Sequence, residues 1–503
     1  MPRHLRLCTT VFGVVLMGAV LLPVGGRVAP SSAASKPPGG RISAKLAATR
    51  LAPAQASEIK LDYRFNRPSA RFSYQLQRKR GGKWIELRSA RHKGRLKGKH
   101  STTVKRIFGK KAIRAGNYRL RLRSDRNLVS LRFSVFAARP IKGASSVSAG
   151  GMQTCILVRG GGVKCWGVNL EGELGDSTRT SSSTPVPVGG VTGAIAVNSG
   201  YKHSCVVYPG GTISCWGTNL TGELGNGTLT NSSTPLSVAG LSGGVASSSG
   251  MAHTCALLAD GSLYCWGDNE VGELGIGSVN RIKPYGVSSP VRVDAVSNAV
   301  AVSAGFLNTC VLISGGSIEC WGYNTDGQVG NGTVSPKRPH AVPAPVQVSG
   351  ITNAVEISAG AFHTCALISG GGVKCWGYIT ASDFGPKPLL NSAFPRQAAG
   401  IENAVSISSG GFHTCALIAD GTVKCWGADQ FGQLGDGKLL DSVKPVTVLG
   451  IKHAVSISSG VLHTCAVLAD GAVKCWGGND EGELGTGTMT ASSVPLSVVQ
   501  PTR

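Results

Sequence analysis

The chain has 503 residues, a net charge of +25 and 15 cysteines, and 42% of its residues are hydrophobic. One apolar stretch near the N-terminus is followed by no second run of spanning length, which excludes a protein with several membrane helices. No His-Glu-x-x-His motif, nucleophile elbow, phosphate loop or dinucleotide fingerprint occurs, so the usual sequence signatures of catalysis are missing.

Residues 1–34 read as a secretory signal. Arg3, His4 and Arg6 form a basic start, Val11 to Leu22 an apolar core, and Ser32-Ala33-Ala34 a small-residue cleavage site. Cys8 precedes the apolar core, whereas a lipid-anchor cysteine would follow it. The end at Val499-Gln500-Pro501 carries no anchor signal. The expected location is secreted, extracellular, or peripheral on a bacterial cell surface. Residues 35–56 read as a linker at the start of the mature chain.

Residues 57–138 are expected to form a small β-sandwich of immunoglobulin or fibronectin type III kind. Ile59 to Phe65, Phe72 to Leu76, Tyr118 to Arg123 and Leu131 to Val135 all alternate apolar and polar, and Arg80-Gly81-Gly82 marks a hairpin. The charge is concentrated here. Residues 36–142 hold 30 Lys and Arg against 4 Asp and Glu, a net +26, while residues 143–503 hold 18 against 22, a net −4. A face of one sign is more than solubility requires, so attraction to a polyanion is expected. Arg119, Arg121 and Arg123 are the candidate contacts, and an anionic envelope polymer or lipid is the expected partner. Few aromatics interleave with the bases, which does not favour stacked single-strand recognition.

From residue 145 to 499 one sentence is written seven times. Trp166, Trp216, Trp266, Trp321, Trp376, Trp426 and Trp476 mark it, at intervals of 50, 50, 55, 55, 50 and 50 residues. In the sixth copy Val405 to Ser408, His413 to Ile418, Thr422 to Trp426 and Val446 to Val448 read as four short strands, the last opened by Pro445. Four strands per repeat near 50 residues, with glycine-rich turns and no helical periodicity, predict a seven-bladed β-propeller, so the whole chain is all-β.

The second and third strands are joined by Ala419-Asp420-Gly421, a three-residue loop with glycine last. That length sets the register: Leu417 faces Val423 and Cys415 faces Cys425. Every copy carries the same pair. Disulfides are therefore expected to join Cys155 with Cys165, Cys205 with Cys215, Cys255 with Cys265, Cys310 with Cys320, Cys365 with Cys375, Cys415 with Cys425, and Cys465 with Cys475. A rival reading makes zinc ligands of His413 with the cysteine pair. His203, His253, His363 and His463 share that position, but Gln153 and Asn308 replace it in copies one and four, and a fourth ligand is lacking. No metal and no cofactor are expected, and the histidines read as buried hydrogen-bond pins between neighbouring strands.

The recurring elements are Gly-x-x-His-Thr-Cys, Cys-Trp-Gly and Asn-x-x-Gly-Glu-Leu-Gly with a further glycine. In the second copy they stand at Gly200, His203, Trp216-Gly217, Asn219, Gly222 to Gly225 and Gly227. This repeat resembles the regulator of chromosome condensation family of seven-bladed propellers, and the cysteine pair resembles its exported versions. Copy five departs most: Tyr378 to Phe384 replaces the Gly-Glu-Leu-Gly loop. The resemblance implies a binding scaffold. The founding member's nucleotide exchange on a nuclear GTPase is not expected of an exported chain, so no intracellular GTPase is expected as partner.

The expected function is therefore an exported, non-enzymatic binding protein, monomeric, with an unknown protein partner at the propeller. A carbohydrate-active or other hydrolytic propeller enzyme of the cell envelope is the alternative. A specific partner must read what is irregular in a regular array. Copies three and four carry insertions around Asn280 to Tyr285 and Pro336 to His340. The candidate partner-binding residues are Arg281, Lys283, Tyr285, Arg338, Tyr378 and Phe384, an aromatic-plus-arginine mixture suited to interface anchors.

Overall fold

The computed structural model describes residues 42–46, 50–51, 60–80, 83–103, 116–124, 127–135, 138–378 and 391–501. The expected signal segment and Phe384 lie outside them. The chain divides into two compact units, Met1–Ala137 and Ala138–Arg503.

The first unit contains β1 (Ile42–Leu46), β2 (Arg50–Leu51), β3 (Lys60–Arg80), β4 (Lys83–Thr103), β5 (Gly116–Ser124) and β6 (Asn127–Val135). They hydrogen-bond into one six-stranded sheet in the order β1-β3-β5-β6-β2, with β4 also paired to β3. Among the described residues these strands form one hydrogen-bonded sheet, in which β1 also lies against β6. Alternation specifies that a strand has a covered and an open face, but it does not say how many sheets share the cover. Strands β1 and β2 fall in the stretch read as linker, because Ile42-Ser43-Ala44-Lys45-Leu46 also alternates. The covered face includes Leu76, Tyr118, Leu120 and Leu122, each about 1% exposed.

The second unit holds seven four-stranded antiparallel sheets, each built from consecutive strands in chain order. Blade six is typical: Ala404–Ser409, His413–Ile418, Val423–Gly427 and Ser442–Thr447. The first strands neighbour one another all the way round, from blade one to blade seven and back, so they form the inner ring and the fourth strands the rim. This is a closed β-propeller, and no helix occurs among the described residues. The fourth strand begins earlier than its sequence suggests and contains Pro445. That residue lies within the register shift between the Cys425 and Gly427 pairings, on an outer edge where a missing N–H costs no ladder bond.

Two devices close the ring. Beside the blades, β7 (Ala138–Pro140) pairs antiparallel with the last strand, Val499–Pro501. At the axis, Gly150, Gly200, Gly250, Gly305, Gly360, Gly410 and Gly460 follow the seven inner strands. A Cβ added to any of them would lie 2.3–2.5 Å from the carbonyl oxygen of the next blade's glycine. Only glycine allows this approach. Beside those glycines the backbones bond across the seams: Gly151 N–H donates to Gly200 O at 3.0 Å, Tyr201 to Gly250 at 3.0 Å, and Val461 back to Gly150 at 3.4 Å.

The hydrophobic core lies between blades rather than within them. Each seam packs the cysteine pair of one blade against the tryptophan of the next, as Cys465 and Cys475 against Trp166 and Cys415 and Cys425 against Trp476. Six of the seven tryptophans are fully buried, and burying so large a side chain contributes roughly 3 kcal/mol or more. Each indole N–H of these six donates to a carbonyl in the preceding blade's third-to-fourth-strand loop: Trp216 to Glu173 O at 2.9 Å, Trp266 to Glu223 O at 2.8 Å, Trp376 to Gln328 O at 2.8 Å, and likewise Trp166, Trp321 and Trp476. The recurrent Gly-Glu-Leu-Gly loop is therefore a wedge that seats the next blade.

Candidate binding face

Strand direction sorts the connections. The turn after the first strand and the loop after the third emerge at one end of each blade; the hairpin after the second and the link to the next blade emerge at the other. Both insertions follow third strands and Tyr378 ends one, so these belong to the first of these ends, the loop face.

The two insertions are copies of one device. In blade three Tyr285 N–H donates to Ile282 O at 2.9 Å, and Tyr285 O accepts from Asn269 N–H at 2.9 Å. In blade four His340 N–H donates to Lys337 O at 2.8 Å, and His340 O accepts from Asn324 N–H at 2.9 Å. Tyr285 and His340 share a left-handed backbone, with φ of 67° and 65°. Lys283 and Arg338 hold equivalent places and are exposed, as are Arg281 and Lys337. In regular blades a side chain does the insertion's work: Asn219 N–H donates to Asn231 Oδ1 at 2.8 Å.

Tyr378 is half-buried, with its ring centroid 6.4 Å from Phe362 and 6.0 Å from Phe412. Phe362 stacks on Phe412 at 5.1 Å and approaches Phe306 at 6.4 Å, and Phe306 meets Tyr201 at 5.6 Å. One chain of rings thus crosses the channel mouth from blade two to blade six. Phe306, Phe362 and Phe412 are each partly exposed. The bulky residues after the ring glycines stand in blades two to four (Tyr201, Met251, Phe306), and small ones follow in blades five, six and one (Ala361, Gly411, Gly151). The mouth is therefore stepped. Beneath it lies a cavity of about 90 Å³ among the ring glycines, Tyr201, Phe306, Ala361 and Val461. Small-molecule sites run to about 300–1,000 Å³, so this space does not suit such a ligand.

Sequence reading did not select Phe306, Phe362, Phe412 or Tyr201. The signal was present: the two residues between Gly and His differ in every copy, whereas the residues around them recur.

The buried polar groups between blades serve packing. His203 Nε2 meets Thr254 Oγ1 at 2.8 Å, and that hydroxyl donates to Glu223 O at 3.0 Å. The hydroxyl proton is thus committed, so the imidazole must donate from Nε2 and leave Nδ1 bare. His253, His363, His413 and His463 repeat the contact to Thr309, Thr414, Thr464 and Thr154. The pins join neighbouring blades. Burial pulls His203, His363 and His463 down to about 4, and His253 and His413 to about 3. In the wedge loops Glu223 Oε2 accepts from Thr221 N–H at 2.8 Å, and burial pushes Glu223 and Glu483 up to about 7. Gln328 and Gln433 make the same contact with a neutral amide, so a protonated glutamic acid suits the site as well.

The cysteines pair within each blade, as the hairpin register requires. Cys155 is bonded to Cys165 in blade one, Cys205 to Cys215 in blade two, and Cys255 to Cys265 in blade three. Blade four joins Cys310 to Cys320, blade five Cys365 to Cys375, blade six Cys415 to Cys425, and blade seven Cys465 to Cys475. Their Cα atoms stand 4.0–4.1 Å apart in all seven blades. None of the fourteen is more than 2% exposed, so the sulfurs belong to the seams and not to the binding face.

The sequence profile described as Regulator of chromosome condensation (RCC1) repeat matches residues 316–367 and 420–467, and a second profile of that description matches 248–273, 404–433 and 454–483. The matched stretches of the propeller are RCC1 repeats. Among curated relatives, the zebrafish E3 ubiquitin-protein ligase MYCBP2 is 32% identical over 108 residues, and the Arabidopsis thaliana ultraviolet-B receptor UVR8 is 31% identical over 108 residues. Each match covers 21% of this chain, but only 2% and 24% of those proteins. Among solved structures, yeast RCC1, crystallised bound to Kap60, superposes with a TM-score of 0.59 at 22% identity over 67% of this chain and 83% of that one. Human WBSCR16 superposes with a TM-score of 0.57 at 23% identity over 68% of this chain and 89% of that one. These likenesses establish the RCC1-type propeller fold.

Proposed function

We propose that this RCC1-repeat propeller is an exported, non-enzymatic protein that holds a protein partner on its loop face, while the basic first unit docks to an anionic envelope surface. The observation that supports it most is the joining of two kinds of irregularity on one face. The basic insertion of blade four adjoins the half-exposed ring chain of blades four to six, through His340 on Tyr323 and Tyr323 N–H to Leu307 O beside Phe306, and the blade-three insertion repeats its hydrogen-bond frame. A yeast relative crystallised with a protein partner is consistent with scaffold use. The seven inner strands contain a single acidic residue, Glu356, whose Oε1 accepts from Ser406 Oγ at 3.0 Å and Ile407 N–H at 3.3 Å. A hydrolase of the two-carboxylate kind would need a second one converging there.

The test uses the exported chain with both insertions shortened to the 50-residue pattern. Its melting temperature should stay within a few degrees of the parent, because the side-chain acceptor of regular blades can replace the insertion. Pull-down of envelope partners should disappear. Undiminished capture by the trimmed chain would place the partner elsewhere.

A further inference from the structure

The wedge loops of the regular blades are built round one amide. In blade one Asn169 Oδ1 accepts from Leu174 N–H at 2.9 Å, while its Nδ2 sits among oxygens. These are Asp176 Oδ1 at 3.1 Å, Thr178 Oγ1 at 3.1 Å, and the carbonyls of Thr178 and Thr180 at 3.2 Å. Asn219 repeats the hub in blade two with Asn226, Thr228 and Thr230, and Asn479 repeats it in blade seven with the carbonyls of Thr488 and Thr490. One NH₂ group thus holds together oxygens that repel one another.

Blade six keeps the frame and removes the donor. Asp429 stands where the amide stands elsewhere, fully buried, and its Oδ1 accepts from Leu434 N–H at 2.8 Å. Its N–H donates to Asp441 Oδ1 at 2.8 Å, as Asn219 N–H does to Asn231. Asp436 Oδ1 accepts from Lys438 N–H at 2.9 Å, as Asp176 does from Thr178. The difference is Asp429 Oδ2, which replaces Nδ2 and has no hydrogen-bond partner. The frame places it against the acceptors of the hub, the Asp436 carboxylate and the carbonyls of Lys438 and Leu440. Among the regular blades only this one carries acid at all three places, Asp429, Asp436 and Asp441. Asp436 Oδ2 meets Lys438 Nζ at 3.5 Å, but that ammonium is exposed on a flexible stem and can turn to solvent.

A carboxylate buried among acceptors calls for a positive occupant. Oxygens that ligate one calcium ion at about 2.3–2.6 Å stand roughly 3 Å from one another, the spacing found round the hub amide. Among the described residues no three acidic, imidazole or thiol side chains converge as a metal cluster. This hub does not require a third, because backbone carbonyls complete the set.

We propose that the wedge loop of blade six binds a calcium ion through Asp429 Oδ2, the Asp436 carboxylate and the carbonyls of Lys438 and Leu440. The ion braces the wedge whose Gln433 O receives the Trp476 indole N–H at 2.9 Å. It also steadies Ala428, whose N–H holds Phe412 O at 2.8 Å. The site stands apart from the loop-face reading.

The test is calcium titration of the full exported chain after EDTA treatment, by calorimetry and thermal melts at neutral pH. A single site with a Kd of about 10⁻⁴–10⁻³ M is expected, the range of extracellular calcium modules. Millimolar calcium should raise the melting temperature by a few degrees, and equal magnesium should not. Asp429→Asn, which restores the amide of the other blades, should abolish the binding and, in EDTA, should melt above the parent. Asp480→Asn, in the exposed loop of blade seven, should leave both unchanged. No calcium effect in the parent, or an equal effect in Asp429→Asn, overturns the proposal. A proton is the rival occupant: burial pushes the Asp429 carboxyl up to about 6, with Asp436 and Asp441 adding to it and the Leu434 and Leu440 N–H groups opposing. If Asp429→Asn stabilises the EDTA-treated chain at neutral pH but not in acid, and the parent ignores calcium, the proton holds the hub and the calcium site falls.

Discussion

At the scale of single residues, one hydroxyl decides much of the seam. Thr254, Thr309, Thr414, Thr464 and Thr154 each hydrogen-bond to a histidine of the preceding blade. The seam between blades one and two lacks this pair. Ser204 stands in place of threonine, and Gln153 donates instead to Gly200 O and His203 O, both at 3.2 Å. The histidines carry a pH signature whose sign follows from linkage. Their folded values, about 3 to 4, lie below the unfolded value of 6.5, so the unfolded chain binds more protons in that window. Their contribution is complete above pH 6.5 and is lost as pH falls towards 3. Glu223 and Glu483 act oppositely, since values raised from 4.5 to about 7 make their contribution complete below 4.5 and lost as pH rises through 7. Between pH 4.5 and 6.5 the five histidines outweigh the two glutamic acids, and below 4.5 the histidine loss continues without that opposition. Thermal melts should therefore show a broad maximum near pH 7 and a steep acid limb. His463→Gln, which borrows the residue of copy one, should flatten that limb; an unchanged limb would refute the assignment.

At the scale of elements, the hairpin of the second and third strands was the most legible part of the chain. Its three-residue loop sets the pairing of Cys415 with Cys425 and Leu417 with Val423, and the structure has that register in blade six and its equivalents elsewhere, as in Cys205 with Cys215 and Cys365 with Cys375. The fourth strand was less legible, because its ladder is interrupted opposite Cys425 and Gly427 and its proline disguises the start. The cysteines lie inside the seams, which changes what reduction should do. Non-reducing peptide mapping should find seven links, all between residues ten apart. With the sulfurs shielded by the next blade's tryptophan, native reduction should be slow and should speed up with partial unfolding. Complete reduction should lower the melting temperature, each loop contributing roughly 2–3 kcal/mol by chain entropy, while the propeller persists. Any bridge between blades would overturn this account.

For the whole molecule, the division of charge is the dominant fact. A first unit drawn from a +26 segment precedes a propeller of −4, so polyanion affinity should belong to the first unit. In the strand register Arg119 pairs with Arg132, and Arg123 with Ser73, which in turn pairs with Arg91. The full chain should bind anionic vesicles or DNA with little sequence preference, and affinity should fall several orders of magnitude between low and high salt. Charge reversal at Arg119, Arg121 and Arg123 should weaken it more than any propeller change; binding indifferent to salt would sink the idea.

The sequence by itself determined the repeat, its four strands, the hairpin register and the division of charge. These depend on contacts within one repeat, where turn length and alternation set hydrogen-bond partners a few residues away. Only the tertiary structure decided where the core lies, because the seams join residues about one repeat apart and carry no local period. Tyr201, Phe306, Phe362 and Phe412 became neighbours only when the ring placed their turns around one axis. The same holds for closure: Gly460 meets Gly150 across the whole length of the propeller, an approach that no local pattern encodes.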